Sequence, residues 1–159
     1  MKLFVKNKLM SFGGSSFVLD ENKNKVFKIK GKFFSMTHKK KIYDAENNLR
    51  YIVRNKFWKL FSTTTFIFDP FKNLVAKISN NDFDIKDRYV LKQGEDDIEI
   101  TGNFLNHDIF KNGNLIGHIS RDFTIIRDAF TVEVFSEDDA AFLIALTICM
   151  DNIRDKQRG

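Results

Sequence analysis

Most of the chain alternates between short apolar runs and polar turns, in units that follow the order strand, turn, strand. Four of these units place a turn rich in Asp or Asn between two β-rich runs, at residues 20–24, 44–48, 69–73 and 111–114. Asp and Asn suit such turns because their side chains bond the local backbone and tolerate positive φ. Asn112-Gly113 is the strongest single hairpin signal. The pattern predicts four antiparallel hairpins.

Two weaker hairpins extend the pattern to residue 135. Residues 85–91 precede a turn at 93–96 and a run at 97–100, and residues 124–126 precede a turn at 127–128 and a run at 130–135. Counted from Leu3-Phe4-Val5, about a dozen short strands arise at regular spacing. Such spacing with turn signals predicts an all-β barrel or sandwich.

The last part of the chain has a different pattern, which predicts a helix over residues 136–155. Ser136 is a suitable N-cap, and the acids that follow it face the positive helix end. Residues 140–150 are apolar on every side, which indicates a helix buried in protein or in a membrane. This run reaches only about 16 Å, well short of a hydrocarbon core of about 30 Å. We therefore expect it to be buried in protein.

Together these elements predict a mainly β fold in a single domain over residues 1–159. Strands between residues 2 and 135 would form a closed antiparallel β-barrel of about 12 strands around a central, buried C-terminal α-helix. Closure would remove the sheet edges that so many strands otherwise expose. A helix that fills the lumen also argues against a lipocalin-like carrier of small molecules.

Charge is distributed unevenly along the chain. Residues 1–60 hold 15 Lys and Arg against four acids, whereas residues 61–159 hold 11 against 17. A cluster of positive charge indicates either an anionic partner, such as a membrane or a nucleic acid, or a solvated face that keeps strand edges from aggregating. Lysines far outnumber arginines, which favours diffuse attraction over bidentate recognition of phosphate or guanine.

Strand alternation selects the candidate binding residues from this cluster. Lys28 and Lys30 share one side of their strand, opposite Phe27 and Ile29. Lys39 and Lys41 share a face, as do Arg50, Arg54 and Lys56. The candidate anionic-ligand site therefore comprises the basic residues Lys28, Lys30, Lys39, Lys40, Lys41, Arg50, Arg54, Lys56 and Lys59.

No catalytic constellation is visible in the sequence, so we expect no enzyme activity. Cys149 lies in the apolar helix, where burial would keep its thiol neutral. His107 and His118 flank the Asn112-Gly113 turn with Asp108 beside them, but no spacing provides a third metal ligand. The sequence also lacks a glycine-rich phosphate loop followed by a helix. We expect neither a metal nor a cofactor.

The chain resembles the LURP-one-related proteins over nearly its whole length. The resemblance rests on Leu3-Phe4-Val5-Lys6 followed by Ser11-Phe12-Gly13-Gly14, on the turns at Asp20, Asp44 and Asp69, on Gly31-Lys32-Phe33-Phe34-Ser35, and on the apolar helix. It implies the tubby C-terminal fold, shared with the phospholipid scramblases: a 12-stranded antiparallel barrel around a central helix. It also implies a link to membranes, because tubby domains bind phosphoinositides through basic residues. It implies no particular ligand residues here.

These observations predict a non-enzymatic module whose basic barrel face binds anionic phospholipid head groups weakly and peripherally. The alternative is a nucleic-acid-associated or regulatory scaffold protein that uses the same basic patch. The single cysteine and the charged N-terminus without a signal peptide fit a cytoplasmic protein, peripheral at the membrane and without a transmembrane segment. We expect a monomer.

Overall fold

Twelve strands and one helix form the part of the chain that the computed structural model describes, which is residues 1–6, 14–31, 38–56, 64–79, 88–103, 105–122 and 129–158. The strands are β1 (Lys2–Lys6), β2 (Ser15–Asp20), β3 (Lys25–Gly31), β4 (Lys40–Tyr43), β5 (Leu49–Asn55), β6 (Thr64–Phe68), β7 (Leu74–Ser79), β8 (Arg88–Gln93), β9 (Asp96–Gly102), β10 (Asn106–Lys111), β11 (Asn114–Asp122) and β12 (Ala129–Val134). The helix is α1 (Glu137–Arg158). The predicted strand residues 85–87 and 124–126 lie outside the described residues.

The strands form one antiparallel sheet that curls into a nearly closed barrel. Its order is β7-β6-β5-β4-β3-β2-β1-β12-β11-β10-β9-β8, so β7 and β8 are the two ends of the sheet. Within the described residues, these ends meet through a backbone hydrogen bond from Gly94 to Val75 (3.3 Å) and a bond from the Tyr89 hydroxyl to the Lys77 carbonyl (3.4 Å). The predicted barrel is confirmed, with a seam between β7 and β8 in place of a continuous ladder.

The two ends of the barrel differ in the connections that they carry. The tight turns at 20–24, 44–48, 69–73, 93–96 and 111–114 and the start of α1 all lie at one end, which we call the turn end. The other ends of the strands lie at the opposite end of the barrel, where α1 finishes. Because every second connection returns to the same end in an antiparallel sheet, this division follows directly from the strand order.

Three of the turns share one hydrogen-bonding pattern. In each, an Asp carboxylate accepts a hydrogen bond from the backbone N–H of the Asn four residues later, at 2.8 Å. The side-chain amide of the same Asn donates a second bond to this carboxylate. The residue before that Asn has a positive φ, and these residues are Lys23 (64°), Asn47 (71°) and Lys72 (70°). The turn chemistry predicted from the sequence is therefore realised at all three positions.

Asp20 and Asp69 should make the stability of the fold depend on pH under acidic conditions. The side-chain amides of Asn24 and Asn73 hold the pKa of these two carboxyls below the usual value. A group whose pKa is lowered by folding stabilises the protein above its unfolded pKa, about 3.9, and this contribution is lost as the pH falls through its folded pKa. We expect the melting temperature to fall between about pH 5 and pH 3, and to fall less steeply in the double variant Asp20→Asn, Asp69→Asn. Calorimetry over this range measures both slopes, and equal slopes would contradict the assignment.

Helix α1 occupies the inside of the barrel. Every residue from 140 to 152 is buried, including Phe142, Leu143 and Leu146, and the helix packs against β5, β6, β11 and β12. It begins at Glu137, directly after the predicted N-cap Ser136, and extends three residues beyond the predicted end. Gly117 on β11 is needed where the helix comes closest, because a Cβ at that position would lie 2.6 Å from Leu143 Cδ1. The central, buried helix predicted from the sequence is confirmed.

Candidate functional site

Alternation along β3, β4 and β5 separates an inner apolar face from an outer basic one. Phe27, Ile29 and Ile42 are buried on the inside. The lysines that alternate with these buried residues face outward. So does Arg54 on β5, which lies between the buried Val53 and Asn55. We call the four outward cations the basic wall; they are Lys28, Lys30, Lys41 and Arg54.

The strand register brings the members of the basic wall together. Lys30 on β3 lies directly opposite Lys41 on β4, and Lys41 in turn lies opposite Ile52 on β5, two residues before Arg54. Side chains that are directly opposite in antiparallel strands have Cβ atoms about 5 Å apart, and like charges in such positions repel. An anion that approached both lysines would relieve this repulsion. The arrangement therefore favours an anionic ligand electrostatically.

Aromatic rings lie beside the cations on the same outer surface. Lys30 Nζ lies 5.2 Å from the centre of the Tyr43 ring, and the Arg54 guanidinium carbon lies 4.8 Å from that of Phe68. Lys25 Nζ is 4.2 Å, and Lys28 Nζ 5.9 Å, from the centre of Phe17. Contacts of this kind contribute about 0.5–1 kcal/mol at exposed sites and hold the aliphatic stems against the surface. The rings thus order the basic wall without neutralising it.

The basic wall differs from β8 and β9 in its ion pairing. Among the described residues, no carboxylate lies within ion-pair distance of any basic-wall cation. On β8, by contrast, Arg88 forms a two-pronged pair with Glu99 (2.6 and 2.8 Å), and Lys92 lies 2.6 Å from Asp97. The clustering of charge in the sequence thus becomes a wall of cations on β3, β4 and β5, whereas β8 and β9 carry ion pairs.

The other candidates lie outside the basic wall. Lys39 and Lys56 are exposed at the end opposite the turn end, where β4 begins and β5 finishes. Arg50 is near the turn end, where its guanidinium Nη1 lies 3.5 Å from Asp44 Oδ2. Lys59 lies outside the described residues.

Lys40 points into the barrel, away from its neighbours Lys39 and Lys41. Its side chain is only 15% exposed, donates a hydrogen bond to Asn152 Oδ1 (3.0 Å) and approaches Asp151 Oδ2 at 4.0 Å. Asn152 in turn donates to Asn55 on β5 (3.3 Å). Alternation explains this placement, because Lys40 has the same parity as the buried Ile42. Its role in the structure is to tie β4 to the end of α1.

Comparison with known proteins agrees with this architecture. The family model described as LURP-one-related matches residues 1–151. The chain belongs to the LURP-one-related family. Its fold is similar to that of an Arabidopsis thaliana protein known from an X-ray structure, with a TM-score of 0.55 and 15% sequence identity over 96% of this chain and 90% of that one. No curated protein matches the chain.

Membership of the LURP-one-related family defines the fold and the class of protein more closely than the chemistry. The family, with its tubby-like barrel, is not a known enzyme class. The Arabidopsis thaliana structure shows the fold alone, since the sequences share so few residues. What the protein binds therefore has to be inferred from its own side chains.

The cysteine and two of the histidines of this LURP-one-related chain are buried or paired with a neighbouring side chain. Cys149 is fully buried, and burial raises the pKa of its thiol. His118 Nδ1 lies 2.6 Å from Asp108 Oδ1 on the outside of the barrel, while His107 is buried on the other face of β10. The two histidines therefore lie on opposite faces of the sheet. In the part of the chain that the structure describes, no group of three His, Cys, Asp or Glu residues could hold a metal ion.

The only helix among the described residues does not meet the length and apolarity that crossing a membrane requires.

The sequence pattern did not predict that aromatic rings lie beside the cations of the basic wall. Phe17, Tyr43 and Phe68 belong to strands that the pattern did predict, and Lys25 lies where a turn gives way to β3. Their position beside the cations depends on how the strands pair. When β2 is aligned with β3 across their turn, Phe17 lies opposite Lys28. Because residues that lie opposite each other share a face of the sheet, a phenylalanine that pairs with an outward lysine is predicted to lie on the outer surface too.

Proposed function

We propose that this protein is a non-enzymatic module that binds anionic phospholipid surfaces through the basic wall. The observation that carries the proposal is the set of four outward cations on adjacent strands, with no carboxylate partner among the described residues. Each Lys or Arg close to an anionic membrane contributes about 1 kcal/mol. Four would supply about 4 kcal/mol, which suits reversible, peripheral attachment of a cytoplasmic monomer.

Lipid is favoured over nucleic acid by the shape of the site. Residues 140–152 of the one helix among the described residues are buried inside the barrel, so this part cannot enter a groove of a duplex. The Tyr43 and Phe68 rings each have a cation over them, which leaves little open ring surface on which a base could stack. Three of the four basic-wall residues are lysines, whose point charges suit a fluid array of head groups better than planar recognition of a base.

Vesicle binding tests the proposal. We expect the purified protein to bind vesicles that contain an anionic lipid, such as phosphatidylserine, more tightly than vesicles of phosphatidylcholine alone. Raising the salt concentration from about 50 to 300 mM shortens the Debye length from about 14 to 6 Å, and this should largely abolish binding because the attraction is Coulombic. Sedimentation with the vesicles measures the bound fraction.

A parallel titration with single- and double-stranded oligonucleotides at matched ionic strength is the discriminating control. Equal binding to neutral and anionic vesicles would contradict the proposal. Tighter binding to an oligonucleotide than to anionic vesicles would replace the lipid surface by a nucleic acid as the partner of the basic wall.

A further inference from the structure

The outer surface of β1 and β2, next to the basic wall, carries an apolar strip made of Phe4, Leu19 and Phe17. Phe4 faces outward because its neighbours Leu3 and Val5 are buried. The buried Val18 similarly turns Phe17 and Leu19 outward, and Phe4 lies opposite Leu19 in the register of the two strands.

Cations lie beside the apolar strip on β1 and β3, while on the other side of β1 the register places Glu133 of β12 opposite Lys2. Lys2 is exposed on β1, and across β2 lie Lys25, over the Phe17 ring, and Lys28, opposite Phe17 in the register. Phe17 is the most open member of the strip, with 37% of its surface exposed. An aromatic and aliphatic stripe flanked by lysines matches the interface of a bilayer, where rings lie at the level of the head groups and ammonium groups reach the phosphates.

We infer that the apolar strip enters the interfacial layer of an anionic membrane and that Phe17 is its anchoring residue. The inference rests on the proposed lipid-binding function and adds to it the residue that makes apolar contact and the side of the barrel that faces the bilayer. In the free protein Lys25 lies over the Phe17 ring. On the membrane this ammonium can move to a lipid phosphate while the ring it covered gains contact with acyl chains.

The turn end is a poor alternative for insertion, although it carries the most exposed aromatic residue. Phe71 is 85% exposed at the tip of the turn between β6 and β7. The same end of the barrel holds a set of acidic side chains that an anionic surface repels, among them Glu21, Glu46, Glu95, Glu137 and Asp138. Phe71 therefore provides a matched control, because it is a more exposed phenylalanine that should not touch the membrane.

The test compares Phe17→Ala with Phe71→Ala in sedimentation with vesicles of phosphatidylcholine and phosphatidylserine. We expect Phe17→Ala to weaken binding by about five- to tenfold, as the loss of a partly inserted ring predicts, and Phe71→Ala to bind like the wild type. The salt dependence should be unchanged in Phe17→Ala, because the lost contact carries no charge, and reduced in Lys28→Gln. Thermal melting of each variant confirms that it is folded.

A label gives a second readout that does not depend on affinity. Since Cys149, the one cysteine of the chain, is fully buried, a thiol introduced by Phe17→Cys or Phe71→Cys can be labelled selectively with a polarity-sensitive dye. We expect a blue shift on vesicle binding for the label at position 17 and none at position 71.

Failure of the inference can be told apart from failure of the proposed function. A wild-type protein that ignores anionic vesicles would overturn both. A wild-type protein that binds, with Phe17→Ala equal to it or with Phe71→Ala equally impaired, would overturn the apolar strip and leave the basic wall standing.

Discussion

Leu146→Asp is expected to prevent folding. Leu146 has no exposed surface and lies in the middle of α1, where the helix is enclosed by β5, β6, β11 and β12. A carboxylate in this position would be buried without a partner, at a cost of several kcal/mol, which is comparable with the whole stability of a typical domain of about 5–15 kcal/mol. Far-UV circular dichroism and thermal melting should show no cooperative transition.

The matched control introduces the same charge at an open position. Phe71→Asp changes a phenylalanine that is 85% exposed, so we expect its stability to stay within about 0.5 kcal/mol of the wild type. A cooperative melt of Leu146→Asp at the wild-type temperature would contradict the enclosed helix.

Much of the barrel could be predicted because its turns have local chemistry. An Asp that accepts two bonds from the Asn four residues later closes a hairpin without help from the rest of the fold, so the turns at Asp20, Asp44 and Asp69 are visible in the sequence. The helix is equally visible, since an apolar run too short to span a bilayer has to be enclosed by protein.

The composition of the basic wall was harder to predict because it depends on the register between strands. Bulges occur between Val18 and Leu19 and between Ile42 and Tyr43, and each shifts the residues that lie opposite one another. Alternation within β4 does distinguish Lys40 from Lys41, but its inward contacts with Asn152 and Asp151 arise only when α1 is in place. Charge clustering therefore indicated the strands that carry the basic wall and also included a lysine that faces the helix.

The seam between β7 and β8 shows a second limit of sequence patterns. The two strands follow each other along the chain, as hairpin strands do, yet across the described seam only Gly94 and Val75 share a backbone hydrogen bond. Whether two consecutive strands form a ladder or meet as the ends of a curled sheet is decided by the curvature of the other ten strands. No local signal encodes that curvature.

The triple variant Lys28→Gln, Lys30→Gln, Lys41→Gln is expected to weaken binding to anionic vesicles by up to about 3 kcal/mol, or about a hundredfold. The three lysines lie on adjacent strands, two of them opposite each other, so they approach one membrane surface together. Each contributes about 1 kcal/mol through Coulombic attraction, and the dependence of binding on salt should become shallower as the three charges are removed. Sedimentation with vesicles at several ionic strengths measures both effects.

A second triple variant separates the effect of the basic wall from that of net charge. Lys72→Gln, Arg88→Gln, Lys92→Gln also removes three positive charges, from the turn end and from the ion-paired strand β8, so both proteins lose three units from a net charge of +5. If position governs binding, the control should keep most of the wild-type affinity, because its charges lie outside the basic wall. Equal losses in the two variants would mean that overall charge attracts the protein. An unchanged affinity in the variant at Lys28, Lys30 and Lys41 would show that the basic wall only keeps the surface solvated.

Lys40→Gln tests the lysine that points into the barrel. It should lower the melting temperature by breaking the bond to Asn152, while vesicle binding stays close to that of the wild type.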